Sequence, residues 1–291
     1  MAPRRHFSPE PGDDELSQTL VQLAGEVLER IKLQQVRVEL AMALQRHILP
    51  VELPVVPGLR TAACYVPARP GLDVGGDWYD AFMMPGGTVG IVIGDVQGHD
   101  VEAAAFVGQV RIGLRAVTGV TTDPGEVLAR INDLLVSLGS GLFVTCTFLR
   151  FDPASGELAD ARAGHVPAVW ATADGRCETV LDDGGLPLGM FPAQRYPVTR
   201  RLLTGTGAFV LLTDGVVEGP AFPLERGLER VVHVVRGGCE ADPDVLATKV
   251  IDVADLTGHC DDAAVLVLRH DEQARGPRQA ALAPCRPRVT M

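Results

Sequence analysis

The run Val89-Gly90-Ile91-Val92-Ile93-Gly94 stops on Asp95, and the run Ala208-Phe209-Val210-Leu211-Leu212-Thr213 stops on Asp214 and Gly215. Short apolar runs that end on a carboxylate constrain the fold of this chain most, because they read as buried strands with a charge held at the mouth. With those two runs extending over 88–95 and 207–213, further strand candidates rich in Val, Leu, Phe and Thr lie at 142–151, 157–163, 197–203 and 263–269. Asp152-Pro153-Ala154-Ser155-Gly156 predicts a hairpin turn between two of them. Helices are fewer. One is predicted to start at Asp123, with Pro124 at its first position, Glu126 completing a capping box, and an apolar face of Val127, Leu128, Ile131, Leu134, Leu135 and Leu138. Another starts around Asp242-Pro243. A third lies near 100–117, where Ala103, Ala104, Ala105 and Gly108 would permit close packing on a sheet. Many strands with a few amphipathic helices predict α+β layers, not a doubly wound parallel sheet.

The two ends read differently. Residues 1–13 are Pro- and charge-rich and are expected to form a disordered leader; 271–291, Arg-, Pro- and Ala-rich without periodicity, a disordered tail. From 14 to 49 there is no Pro, and Leu16, Leu20, Leu23 and Val27, then Ala41, Leu44 and Ile48, recur at helical spacing. This predicts an amphipathic helix, either folded back on its own domain or serving as a dimerisation or signal-input helix. Pro50, Pro54 and Pro57 stop it and leave 50–270 as the main domain. With 291 residues, 46% of them hydrophobic, the chain can bury a core without disulfides or a structural metal. Its six cysteines include no CxxC pair and predict reduced thiols, not zinc ligands. The amino terminus has no apolar h-region, and no apolar run is long enough to cross a bilayer, which predicts a cytoplasmic protein with no membrane partner. A formal net charge of −11 argues against nucleic acid as a partner.

The acidic positions at the strand ends carry the chemistry. Asp77 sits in Gly75-Gly76-Asp77-Trp78-Tyr79-Asp80; Asp95 and Asp214 each close a strand; Asp261 and Asp262 stand immediately before the run Ala263 to Leu268. A carboxylate at the mouth of a buried strand is held rigidly and still faces solvent. Hard divalent ions such as Mg²⁺ and Mn²⁺ take oxygen ligands of this kind. Gly94, Gly98 and Gly215 would let backbone approach a ligand closely. Each position also reads as a turn former or a helix cap, so spacing alone leaves a metal site and ordinary turn chemistry both open.

The stretch Val74–Ala105, VGGDWYDAF…VIGDVQGHDVEAAA, resembles the signature of SpoIIE-like phosphatases, the bacterial branch of the protein phosphatase 2C-type (PPM) superfamily. Ala163-Gly164-His165-Val166-Pro167, Gly185-Leu186-Pro187-Leu188-Gly189, Leu212-Thr213-Asp214-Gly215-Val216-Val217-Glu218 and Asp261-Asp262-Ala263 match in the same order. Leu44-Gln45-Arg46-His47-Ile48-Leu49-Pro50 resembles the helix end that precedes the domain, so the resemblance spans roughly residues 40–270. It implies two antiparallel β-sheets sandwiched between helices, with a two-metal centre of Mn²⁺ or Mg²⁺ at one end. Asp77 and Asp95 would hold or bridge the cations, the Val96 carbonyl would add an oxygen, and Asp214 and Asp261 would complete the set ahead of Asp262. Two cations about 4 Å apart would activate a bridging water for in-line attack on phosphorus. The implied reaction is hydrolysis of phosphoserine or phosphothreonine. The implied partner is a phosphorylated STAS-type anti-sigma-factor antagonist, with helix 14–49 as the regulatory handle.

Several positions depart from the family pattern. Gln97 stands where animal-type relatives carry a histidine general acid, with His99 two residues on. Asp100 replaces a small residue. Arg162 replaces the Asn often found before Ala-Gly-His, which makes His165 a structural histidine in this reading. Trp78 and Tyr79 are expected to pack in the core. Two other function classes compete: a catalytically silent phosphoprotein-binding scaffold, marked by lost metal aspartates, and a metal-dependent phosphohydrolase of small molecules. All the matched acidic positions here remain acidic.

Overall fold

The computed structural model describes residues 49–68, 75–98, 101–220, 222–258 and 261–272, with scattered helical positions between 22 and 32. The chain divides into two units, split between Leu44 and Gln45. In the first, the described positions are helical, with Leu23 and Val27 exposed. The leader 1–13, most of the helix expected over 14–49, and 273–291 lie outside the described residues.

Among the described residues the second unit holds ten strands in two antiparallel sheets. One sheet has the order β1 (Leu59–Val66), β10 (Ala263–Asp271), β9 (Thr206–Leu212), β6 (Val169–Thr172) and β7 (Cys177–Thr179). The other runs β2 (Asp77–Met83), β3 (Val89–Val96), β4 (Val144–Phe151), β5 (Glu157–Ala163) and β8 (Thr199–Leu202). Both sheets are buried on two faces, which is why their central strands read as continuous apolar runs. In β9, Phe209 and Leu211 join the core between the sheets, whereas Val210 and Leu212 face the helices; Leu266 and Leu268 of β10 repeat the first pattern and Val265 and Val267 the second. Helices α1 (Val101–Val117) and α2 (Pro124–Leu138) cover the second sheet through Val107, Leu114, Leu128 and Ile131. Helices α4 (Leu224–Gly238) and α5 (Pro243–Ile251) cover the first through Val231, Val235 and Leu246. Two short helices, α3 (Asp214–Val217) and α6 (Val253–Thr257), complete that layer. The order helix, sheet, sheet, helix is the predicted sandwich.

Local signals explain the elements that were predicted, and also the misses. Asp123 caps α2, its Oδ1 accepting from the Glu126 amide at 3.1 Å. The reciprocal half of the capping box is replaced: the Glu126 carboxylate takes the Thr121 hydroxyl at 2.7 Å and Arg130, while Thr121 Oγ1 accepts from the Asp123 amide. The face of α2 is narrower than predicted, since Leu134 and Leu138 are exposed. In α1, Ala103 and Ala104 are buried, but Ala105 is exposed and Gly108 has open space beside it. Close helix packing falls instead at Gly113, where an added Cβ would lie 3.2 Å from Ile131 Cδ1. Strands β1, β2, β6 and β7 and helix α4 were not predicted. β1 is an edge strand of mixed burial, β7 has three residues, and α4 carries a glycine in its first turn, Gly227, where a Cβ would meet the Val217 carbonyl at 1.9 Å. Cys64, Cys146, Cys177 and Cys239 are not in disulfides; Cys260 and Cys285 lie outside the described residues. Among the described residues no helix is long and apolar enough to cross a membrane.

Candidate metal centre

Strand register brings the first two aspartates together. β2 begins at Asp77 and β3 ends at Val96, and antiparallel pairing sets Asp77 directly opposite Asp95. Asp214 arrives from the other sheet as the first residue of α3, just after β9. Asp261 and Asp262 precede β10, which pairs with β9. One carboxylate oxygen each from Asp77, Asp95 and Asp214 lie within 4.8 Å of one another. Asp77 is buried, Asp95 and Asp214 are half-buried, and Asp261 is exposed.

Electrostatics make this cluster costly as it stands. Burial, then the neighbouring Asp95, holds the Asp77 carboxyl well above the usual range, opposed by a hydrogen bond from Thr213. Burial, then Asp214, Asp261 and Asp262, push Asp95 up to about 8. Asp214 is raised as well, by burial and then by Asp261. The charged neighbours that shift these groups most are all carboxylates. A hard divalent cation is the partner this donor set lacks and fits: carboxylate oxygens on rigid strand ends, at a spacing cations can bridge. The Val96 carbonyl lies at the same end, since an added Cβ at Gly76 would sit 2.4 Å from it and 2.9 Å from Asp95 Oδ1.

The supporting contacts were not anticipated from the sequence. The Thr213 hydroxyl donates to Asp77 Oδ2 at 2.6 Å and accepts from the Ala264 amide at 2.8 Å. Asp262 uses both carboxylate oxygens on backbone: Oδ1 accepts from Ala68 at 2.9 Å and Oδ2 from Gly76 at 3.1 Å. The Tyr65 hydroxyl accepts from the Gly75 amide at 3.0 Å. Gly75 is obligatory here, because its Cβ would fall 1.8 Å from Asp262 Oδ2. The one available signal was the hydroxyl residue directly before Asp214, between an apolar strand and an Asp-Gly pair.

Other residues singled out in the sequence are accounted for differently. Trp78 is fully buried and Tyr79 partly so, both packed in cores. His165 is buried with Nδ1 3.0 Å from the Thr145 hydroxyl, and burial pushes its pKa down to about 3, which leaves it neutral. Arg162 donates to the carbonyls of His165 at 2.9 Å and Asp182 at 2.6 Å, so its guanidinium is engaged with backbone. The Gln97 amide donates to the Phe143 carbonyl. His99 and Asp100 lie outside the described residues.

The profile of the family described as Stage II sporulation protein E (SpoIIE) matches residues 85–271, a segment that contains Asp95, Asp214, Asp261 and Asp262. Protein IcfG of Synechocystis sp. is 26% identical over 271 residues, covering 82% of this chain and 41% of that protein. Phosphoserine phosphatase RsbU of Bacillus subtilis is 25% identical over 182 residues, 62% of this chain and 53% of that protein. The chain thus spans about half the length of the curated relatives it matches, or less. The RsbU and RsbW domains of Rv1364c from Mycobacterium tuberculosis align with TM-score 0.72 and 32% identity, over 79% of this chain and 64% of that one. The PP2C phosphatase domain of SpoIIE from Bacillus subtilis shares the fold, with TM-score 0.63 at 21% identity over 74% of this chain and 64% of that one.

Proposed function

The chain belongs to the SpoIIE family, whose profile covers residues 85–271, and from that premise we propose that it is a metal-dependent protein-serine/threonine phosphatase. The observation that carries the reading is the convergence of Asp77, Asp95 and Asp214 from two sheets onto one point. In this reading Asp77, Asp95 and Asp214, with Asp261 and the Val96 carbonyl, hold two divalent cations, Mn²⁺ or Mg²⁺. When bound, such cations orient phosphoryl oxygens and acidify the attacking water.

The chain's own residues supply position and charge. Thr213 donates to Oδ2 of Asp77 and so holds the orientation of that carboxylate. Asp262 fastens the backbone of Ala68 and Gly76 and thereby holds the approach to Asp77. Cys146 is unsuited to act as a nucleophile, being fully buried with its thiol pushed up to about 12 by burial. His165, neutral and buried, is unsuited to protonating a leaving serine oxygen.

The similarity to a phosphoserine phosphatase supports phosphoserine, with phosphothreonine, as the substrate class. A phosphorylated STAS-type anti-sigma-factor antagonist is the partner that best suits that relationship, in a cytoplasmic setting, with residues 14–49 as the regulatory or dimerising segment. The acidic residues retained at every matched position favour an enzyme over a silent scaffold. Phosphate release from a phosphoserine peptide, with Mn²⁺ and with EDTA, tests the proposal. Turnover is expected to need metal and to fall to background in Asp95→Asn and Asp214→Asn; metal-independent turnover retained by both variants would refute it. Parallel assays on a nucleoside triphosphate and a cyclic dinucleotide separate a small-molecule phosphohydrolase.

A further inference from the structure

Asp80 lies in β2, three residues beyond Asp77, and is 1% exposed. Its side chain points away from the aspartate cluster, onto the outer face of the sheet where α1 packs. There it meets two arginines one helical turn apart. Arg111 donates to Oδ2 through Nε at 3.2 Å and Nη2 at 3.0 Å. Arg115 donates through Nε to Oδ2 at 2.9 Å and through Nη2 to Oδ1 at 2.8 Å, with its guanidinium 4.5 Å above the Phe82 ring.

A buried carboxylate gripped by two guanidinium groups is an inefficient way to stabilise a helix on a sheet. Apolar residues of the same volume generally do as well or better, because desolvation consumes most of the Coulomb gain. What such a group supplies is discrimination between registers. Sliding α1 along β2 by one turn, about 5.4 Å, would leave the carboxylate buried without its partners, whereas an apolar contact would tolerate the shift.

Register matters here because of where α1 begins. Its first residue, Val101, follows Val96 by five positions. The intervening Gly98 carbonyl crowds Gly76, at 2.3 Å from where a Cβ would stand, and the Val96 amide donates to the Gly76 carbonyl at 3.1 Å. Gly76 adjoins Asp77. α1 therefore begins three positions after Gly98, and Gly98 lies against the residue that leads into Asp77.

We propose that Asp80, Arg111 and Arg115 are positioning residues, a register lock that holds the Val96 carbonyl and the Asp77 carboxylate in the relative placement a cation needs. The inference rests on the metal-centre reading above and assigns these three residues a part in it. The test is Mn²⁺ binding by titration calorimetry, with unfolding temperature measured alongside, on the full chain. The apolar triple variant Asp80→Leu, Arg111→Met, Arg115→Met is expected to stay folded, with an unfolding temperature near that of wild type, and to bind Mn²⁺ roughly 10- to 100-fold more weakly. Arg115→Ala removes a half-exposed partner and is expected to weaken Mn²⁺ binding several-fold with little change in unfolding temperature; it decides the matter if the triple variant does not fold. A folded variant of either kind with wild-type Mn²⁺ affinity would overturn the lock and leave the metal centre standing. Wild type that binds no Mn²⁺ would overturn the metal centre itself, and the lock with it.

Discussion

The Thr213 hydroxyl and Asp77 Oδ2, 136 positions apart in the chain, are 2.6 Å apart in the fold, and this bond joins the two sheets at the candidate metal centre. Thr213→Val keeps the branched shape but leaves the Ala264 amide without its acceptor, a buried loss worth about 1–3 kcal/mol. It also removes a hydrogen bond that lowers the Asp77 pKa. Thr213→Val is expected to lower the unfolding temperature and weaken Mn²⁺ binding, whereas Thr213→Ser should stay near wild type in both. Thermal unfolding and titration calorimetry check the pair.

The raised carboxyls predict an unusual pH dependence. Asp95 titrates at about 8 in the fold, against about 4 when unfolded. Between those values the folded state holds a proton that the unfolded state has lost. The contribution of this group to stability is therefore highest below the unfolded pKa and declines as pH rises towards about 8. Metal-free protein in EDTA should melt at a lower temperature at pH 8 than at pH 5.5, by a margin that shrinks in Asp95→Asn. Mn²⁺ should bind more tightly at the higher pH, because protons compete for the same oxygens. Melting curves at the two pH values, with and without metal, read both signs.

Two glycine-to-alanine changes in helices should move stability in opposite directions. Gly108 in α1 has open space beside it, so Gly108→Ala should stabilise by about 0.5–1 kcal/mol through helix propensity. Gly215 in α3 would place its Cβ 1.9 Å from the Asp262 carbonyl oxygen, a backbone atom that cannot rotate aside. Overpacking of this kind costs about 1–3 kcal/mol, more than the propensity gain, so Gly215→Ala should destabilise. Urea unfolding of the two variants gives both signs.

The parts of this fold that were legible in the sequence are those where one strand carries its own signal. β3 and β9 are buried on both faces and end beside a carboxylate, so Asp95 and Asp214 could be picked out. β2 escaped because it starts on Asp77 and carries a second buried acid, Asp80, whose compensating charges lie on α1. No local pattern announces that Arg111 and Arg115 serve a residue some thirty positions earlier. The same holds for Thr213 and for Tyr65, whose partners Asp77 and Gly75 belong to the other sheet and the loop that leads into it. Resemblance to a family brought the aspartates together on paper; their mutual approach and their raised pKa values follow from strand register and from the packing of one sheet on the other, which are tertiary.

Asp261 and Asp262 are adjacent but differ in burial and in contacts, and the difference predicts different phenotypes. Asp262 is buried, and each of its oxygens accepts a backbone amide, from Ala68 and from Gly76. An asparagine there has one acceptor and would turn its NH₂ towards the other N–H, leaving a buried donor unsatisfied at about 1–3 kcal/mol. Asp261 is exposed, and it ranks among the charges that raise Asp95 and Asp214. Asp261→Asn should leave the unfolding temperature nearly unchanged in EDTA while weakening Mn²⁺ binding, since a negative charge that acts on Asp95 and Asp214 is gone. Asp262→Asn should lower the unfolding temperature in EDTA. Its weaker Mn²⁺ binding would then follow from a displaced Gly75–Asp77 segment and not from a lost ligand. If instead Asp262→Asn melts like wild type and Asp261→Asn does not, the assignment of supporting residue and metal-facing residue must be exchanged.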